Sequence, residues 1–258
     1  MHPGTFLDPF QRTSPPPRIV ALIPARYESS RFPGKPLADI AGRPMIEHVY
    51  RRAASTRGVD AVVVATDDSR IAAAVERFHG VVRMTGSGHR TGTDRIAEVA
   101  RDLPCELVIN VQGDLPLIEP DMIAEIIEPL DADRSLVMST LRQPITDPAE
   151  LANPNVVKVV VDAQDNALYF SRSPIPHPRG PAQAFKHIGL YGFRREFLLL
   201  FAGLEQTPLE RAESLEQLRA LEHGFRIRAV QTRFDSIEVD TPEDLERVRR
   251  RTAAAAHM

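Results

Sequence analysis

The sequence holds one cysteine, Cys105, so it forms no internal disulfide and no cysteine-based zinc site. Long apolar runs are also missing: nothing approaches the roughly 18 residues of a membrane helix, which argues against membrane insertion. Strong charge of one sign is absent too. Lysine and arginine number 32 against 35 acidic residues, for a net charge of -3 and a pI near 6.3. A nucleic-acid partner is therefore not expected, since non-specific binding needs a broad basic surface. The first 18 residues, MHPGTFLDPFQRTSPPPR, lack the charged start and apolar centre of a signal peptide. They read as a disordered, proline-rich leader, and the expected location is the cytoplasm. No internal repeat or low-complexity body is present.

What remains is globular in composition, 43% hydrophobic and 26% charged. The runs RIVALI (18–23), DAVVVAT (60–66), VVRMT (81–85) and ELVINVQ (106–112) are short, continuous and rich in valine and isoleucine. Strands buried on both faces of a parallel sheet have this character. Helical patterns alternate with them: PMIEHVYRRAAS, SRIAAAVERF and TDRIAEVARD, with Pro44 and Ser69 as expected helix starts. From Asn155 the texture changes. NVVKVVVD and NALYFSRSP flank DAQDN, a good hairpin turn, and KHIGLYGFR is a further strand. SLEQLRALEHG reads as a helix closed by Gly224, and TPEDLERVRR as a helix capped by Thr241. The expectation is an α/β fold: a doubly wound, mostly parallel sheet with a smaller antiparallel hairpin layer. Residues 1–18 form the leader, 19–250 one domain with an insertion at about 155–195, and 251–258 a tail.

A basic loop, IPARYESSRFPGKPL, directly follows the first strand and carries Arg26, Arg31 and Lys35. In an open α/β sheet, ligands bind outside the carboxyl ends of the strands. Cations there can converge on phosphates while Gly34 lets backbone approach closely. Spacing alone leaves a solvated surface loop equally open. GKP lacks the leading glycine and the following Ser or Thr of a P-loop. GSGHRTG has one residue too many for a dinucleotide fingerprint, so NAD is discounted.

The segment IPARYESSRFPGKPLADIAGRPMIEHVY resembles the opening of the 3-deoxy-manno-octulosonate (KDO) cytidylyltransferases. The resemblance continues in family order through VVVATDDSRI, HRTGTDRIAEV, VINVQGDLPLI, NPNVVKVV, ALYFSRSPIP, KHIGLYGF, LEQLRALEHG and VDTPEDLERV. It implies a nucleotide-diphospho-sugar transferase-like fold and transfer of CMP from CTP to KDO, with release of pyrophosphate, for lipopolysaccharide synthesis. It also implies that Arg26 and Lys35 hold the triphosphate, with Ser29, Ser30 and Arg31 in the same turn. Thr93 and Arg95 are implied nucleotide contacts, although an N-capped helix with Arg95 in solvent fits the residues as well. Gln112 is implied at the cytosine end. A homodimer through the hairpin region is expected.

Asp114 and Asp240 each follow a predicted strand, and two such carboxylates suit one Mg²⁺, a hard cation. Either aspartate alone is more often structural, a turn cap or a helix entry; the family reading makes them magnesium ligands and, with Lys35, the catalytic set. One departure stands out. The family's QGDEP is QGDLP here, with Leu115 at the acidic position, while Glu238 occupies a usual glycine position and would restore charge nearby. The implied sugar-binding residues are Arg172, His187, Tyr191, Glu216 and Gln217. Leu215, Leu218 and Leu221 form an inward stripe, with Glu216 and Gln217 off it. The alternatives are a cytidylyltransferase for another acidic sugar (a sialic acid or an amino analogue of KDO) and a non-catalytic nucleotide-binding relative.

Overall fold

Valine and isoleucine runs build the centre of the first of two compact units, Met1–Asp121 with Asp235–Met258. The computed structural model describes residue 10 and residues 15–28, 32–180 and 183–255. In chain order this unit contains β1 (Ile19–Ala25), the short β2 (Asp39–Ile40) and β3 (Arg43–Pro44), then β4 (Ala61–Thr66), β5 (Val81–Met84) and β6 (Leu107–Asn110). β1 pairs in parallel with both β4 and β6, and β4 pairs in parallel with β5. Every residue of β4 and β6 is buried, as is all of β1 except Pro24. Continuous apolar runs are therefore required, and each buried Val or Ile contributes ~1.5–3 kcal/mol of transfer free energy. β2 and β3 form a separate antiparallel pair.

Helices Met45–Ala54, Ser69–Arg77 and Gly92–Arg101 follow these strands. Asp68 caps the second by accepting from Arg70 N–H, and Thr91 and Asp94 cap the third reciprocally. Pro44, the expected first helical residue, instead lies in β3 and precedes its helix. Helix Pro242–Ala255 begins with the expected Thr241 cap, in reciprocal bonds with Asp244. It continues through Arg251–Ala255, where a tail was expected, because Thr252 is followed by an alanine run of high helix propensity. Residues 1–9 and 11–14 of the leader lie outside the described residues.

Strand β4 lies to one side of β1 and β6 to the other, so the strand order reverses at β1. A crevice opens at such a reversal, beyond the carboxyl ends of the strands.

The second unit is Met122–Phe234, its first boundary falling inside helix Pro120–Ala132. It contains β7 (Met138–Pro144), β8 (Lys158–Val161), β9 (Ala167–Ser171), β10 (Phe185–Arg194) and β11 (Ile227–Gln231). β7 is parallel to β11 and antiparallel to β10, while β8 is antiparallel to both β10 and β9. The antiparallel layer expected for this stretch is present. Its hairpin turns where Asp162 accepts from the N–H groups of Gln164 and Asn166, with Asp165 left-handed at φ 63°. The helix expected over SLEQLRALEHG is only Gln217–Glu222. Ser214, left-handed at φ 53°, ends the preceding helix Pro208–Glu213 and prevents an earlier start. Gly224 closes it as expected, at φ 80°.

Candidate active site

The loop after β1 turns back on itself at Gly34. Its N–H donates to Tyr27 O at 2.8 Å with φ at 75°, a conformation that favours glycine. A side chain there would also meet the Tyr27 ring at about 3.0 Å. Arg70, paired with Asp68 at 2.6 Å, stacks 3.3 Å over that ring. The turn ends in the short helical segment Lys35–Leu37, which delivers Lys35 to a cleft of about 310 Å³. Arg26, Arg90, Gln112, Asp114 and Asp240 line the same cleft. The loop after β6 is pressed against β1 at Gly113, where a Cβ would lie 2.9 Å from Pro24 O. Only glycine allows that approach, and it sets Gln112 and Asp114 beside the basic loop.

Residues far apart in sequence meet here. Val239 N–H donates to Asp114 O at 2.9 Å, tying the segment before helix Pro242–Ala255 to the loop after β6. Carboxylate oxygens of Asp114, Glu238 and Asp240 lie within 4.8 Å of one another. Lys35 Nζ donates to Asp114 Oδ2 at 2.7 Å, to Asp240 Oδ1 at 3.3 Å and to Val239 O at 3.1 Å. Burial disfavours the Lys35 charge, but Asp114 and then Asp240 more than offset this and hold its pKa above the ordinary lysine value. Among the described residues, Asp114 Oδ1 is buried without a protein partner. A cluster of carboxylate oxygens, one of them unsatisfied, is the donor set a hard divalent cation takes, so these residues fit Mg²⁺.

Three expected residues, Ser29, Ser30 and Arg31, lie outside the described residues. Arg26 is exposed on the cleft wall. Arg95 lines the cleft but is only 4% exposed; it donates to Thr85 Oγ1 at 2.5 Å and pairs with Asp67 at 3.2 Å. Its solvent-face alternative is thereby removed. Thr93 is 1% exposed and accepts from Asn110 Nδ2 at 3.3 Å, behind the lining rather than on it. His89 and Arg90, from the same HRTG segment, do line the cleft and were missed. Their position directly before the helix that opens at Gly92 was the available signal. Leu115 is buried at 4%, so the departure from the family pattern is a packed side chain.

The implied sugar-binding residues all fall in the second unit. Arg172 Nε donates to Glu213 O at 2.7 Å and its NH1 to Pro154 O at 3.0 Å. His187, partly accessible, packs between the rings of Phe170 and Tyr191 and bonds Thr140 Oγ1 at 2.9 Å. Burial pushes its pKa down to about 3. Tyr191 is 5% exposed, and Glu216 is half-buried at the entry to helix Gln217–Glu222. Gln217, expected off the apolar stripe, is instead 2% exposed, with Nε2 lacking a protein partner among the described residues. The helix packs on β9, and its first four residues, Gln217 to Ala220, are all buried.

Cations and carboxylates gathered beyond adjacent parallel strands define a class of protein that handles nucleoside triphosphates, the nucleotidyltransferases. The chain matches the family described as cytidylyltransferase over residues 20–228. It is 55% identical over 244 residues to the 3-deoxy-manno-octulosonate cytidylyltransferase of Geobacter metallireducens, covering 90% of this chain and 96% of that one. It is 56% identical over 241 residues to the enzyme of the same name from Syntrophotalea carbinolica, covering 89% and 96%. A solved structure of CMP:2-keto-3-deoxy-manno-octonic acid synthetase complexed with CTP superposes with a TM-score of 0.89 at 46% identity. That match covers 92% of this chain and 99% of that chain. The chain belongs to the 3-deoxy-manno-octulosonate cytidylyltransferase family.

Proposed function

We propose that this protein transfers CMP from CTP to 3-deoxy-manno-octulosonate, releasing pyrophosphate. The observation that carries the reading is the convergence of Arg26, Lys35, Gln112, Asp114 and Asp240 on one cleft. In the reaction, the sugar's anomeric hydroxyl gives up its proton to water as its oxygen forms a bond to the α-phosphorus of CTP. The bond from that phosphorus to the bridging oxygen breaks, and pyrophosphate leaves with the electron pair. Arg26 and Lys35 neutralise the triphosphate and fix its orientation for in-line attack. Gln112 supplies hydrogen bonds to the base, which reject a wrong base by leaving those groups unpaired. Asp114 and Asp240 hold magnesium, with Glu238 beside them; the ion supplies polarisation of the phosphate when bound.

Arg172, His187, Tyr191, Glu216 and Gln217 receive the sugar acid. Arg172 suits its carboxylate because carbonyl oxygens hold the guanidinium without neutralising it. His187, neutral near pH 7, suits hydroxyl groups. The reading places the enzyme with its nucleotide in the cytoplasm, and no helix among the described residues is long and apolar enough to cross a membrane. It includes a homodimer through the hairpin region, where Leu168 of β9 is 61% exposed. A buried Leu115 beside retained Lys35, Asp114 and Asp240 weighs against a non-catalytic relative.

Pyrophosphate release from CTP, KDO and Mg²⁺ tests the reading, with a sialic acid and an amino analogue of KDO as competing acceptors. Release with KDO alone supports it. Equal turnover of all three sugars, or of ATP and GTP in place of CTP, overturns the assigned specificity.

A further inference from the structure

Lys158 begins β8 in an otherwise apolar run and has no solvent exposure. A buried ammonium needs partners for all its donors. Its Nζ donates to Asn153 O at 2.9 Å, Val156 O at 2.6 Å and Arg172 O at 2.6 Å, so the lysine ties the 153–156 turn to the end of β9. Glu213 completes the cluster. Its carboxylate accepts from Ser171 Oγ at 2.7 Å and from the backbone N–H of Arg172 at 2.8 Å, with the Tyr169 hydroxyl at 3.5 Å. Its backbone O accepts from Arg172 Nε at 2.7 Å.

Arg172 is thus gripped at three points: its carbonyl by Lys158, its N–H by the Glu213 carboxylate, and its side chain by the carbonyls of Glu213 and Pro154. The guanidinium itself has no carboxylate within ion-pair distance among the described residues. Lys158 and Arg172 bring two positive charges against the single negative charge of Glu213, leaving a surplus of one. Carbonyl dipoles restrain an arginine without discharging it, which preserves its attraction for an incoming anion.

We infer that Glu213 is a positioning residue for the acidic sugar. It fixes the backbone and side chain of Arg172 so that an undischarged guanidinium meets the substrate carboxylate. The inference rests on the proposed role of Arg172 in sugar binding. Glu213 acts through Arg172 and touches no reacting atom. A fixed fork loses less freedom when the substrate binds, so the effect falls on sugar affinity.

The test uses the full chain and compares Glu213→Gln, Arg172→Ala and the double variant for KM with KDO, KM with CTP and kcat, with thermal melting as the folding control. Arg172→Ala raises the KM for KDO about thirtyfold. Glu213→Gln keeps the side-chain shape and raises it about tenfold, while KM for CTP and kcat stay within about threefold. Because both act on one guanidinium, the double variant resembles Arg172→Ala alone rather than the product of the two effects. Should Glu213→Gln fail to fold, Ser171→Ala, which removes one donor to the same carboxylate, is read instead and shows about a threefold rise in the same KM. An unchanged KM for KDO in Arg172→Ala overturns the sugar-binding role and the inference together. A raised KM in Arg172→Ala beside an unchanged KM in the folded Glu213 or Ser171 variant overturns the positioning role alone, as do effects that simply multiply. A drop in kcat with KM for KDO unchanged marks a structural role and also overturns it.

Discussion

Two lysines show how differently this chain treats a positive charge. Lys35, in the first unit, is satisfied by the carboxylates of Asp114 and Asp240, and they raise its pKa. Lys158, in the second, is satisfied by three carbonyl oxygens; burial lowers its pKa, opposed by Glu213 and reinforced by Arg172. The first arrangement keeps like-charged carboxylates together by placing a cation among them. The second holds two cations, Lys158 and Arg172, on carbonyl oxygens with the single carboxylate of Glu213 shared between them. Carboxylates brought together suit a metal and a triphosphate. An undischarged cation suits an acid.

The largest effect expected from this contrast is on stability. Lys158→Met removes the donors to the carbonyl oxygens of Asn153, Val156 and Arg172, and each carbonyl left unsatisfied costs ~1–3 kcal/mol. The unfolding free energy from urea titration should fall by about 3–5 kcal/mol. A loss below about 1 kcal/mol would show that the carbonyls find other partners and that the lysine is no anchor.

Next come the carboxylates. Asp114→Asn and Asp240→Asn preserve shape and remove charge, so melting should change by only a few degrees while magnesium-dependent pyrophosphate release falls at least about a hundredfold. Magnesium affinity, followed by calorimetry with CTP present, should weaken in parallel. If Asp240→Asn turned over like the unaltered chain, the residue would revert to a helix entry.

How far these two regions could be read in advance differs as well. The apolar runs of β1, β4 and β6 need no long-range partner to be recognised, and Asp114 and Asp240 stood in segments that matched a family pattern. Glu238 was legible only as a departure from the family pattern that would restore charge near Asp114, and for His89 and Arg90, which reach the same cleft because distant loops converge, the position before a helix start was the one local signal. Lys158 was harder still. In NVVKVVVD it looks like a polar residue in a half-exposed strand, whereas its burial depends on carbonyls from residues 153, 156 and 172. Short elements such as β2, β3 and helix Pro148–Ala152 were also invisible, since two to five residues contain no full period of either pattern.

On the nucleotide side, Lys35→Ala tests the first lysine directly. It removes a charge-assisted contact to the triphosphate, so the Kd for CTP measured without sugar should rise about thirtyfold. It also leaves Asp114 and Asp240 without the cation between them, so the variant should gain more stability from Mg²⁺ in a thermal melt than the unaltered chain does. Unaltered CTP affinity would make the basic loop a surface feature.

The smallest effect lies with His187, whose neutrality belongs to the second region's way of limiting charge. Its folded pKa of about 3 is below the ordinary 6.5, so the unfolded chain binds the proton first as pH falls. The stability associated with the neutral ring is therefore complete above about pH 6.5 and is lost progressively toward pH 3. Between pH 7 and pH 5 the loss is about 1–2 kcal/mol, at ~1.4 kcal/mol for each pH unit below 6.5. His187→Gln keeps a hydrogen-bonding side chain but cannot titrate, so its stability should fall less over that interval by the same amount. Subtracting the two urea-derived curves removes the contribution of every other titrating group common to both proteins. An independent check is the His187 ring resonance, which should stay at its neutral position from pH 8 to pH 5. Protonation near pH 6.5 would mean that the ring is solvated in the folded chain, and that a charged imidazole is available to the sugar acid after all.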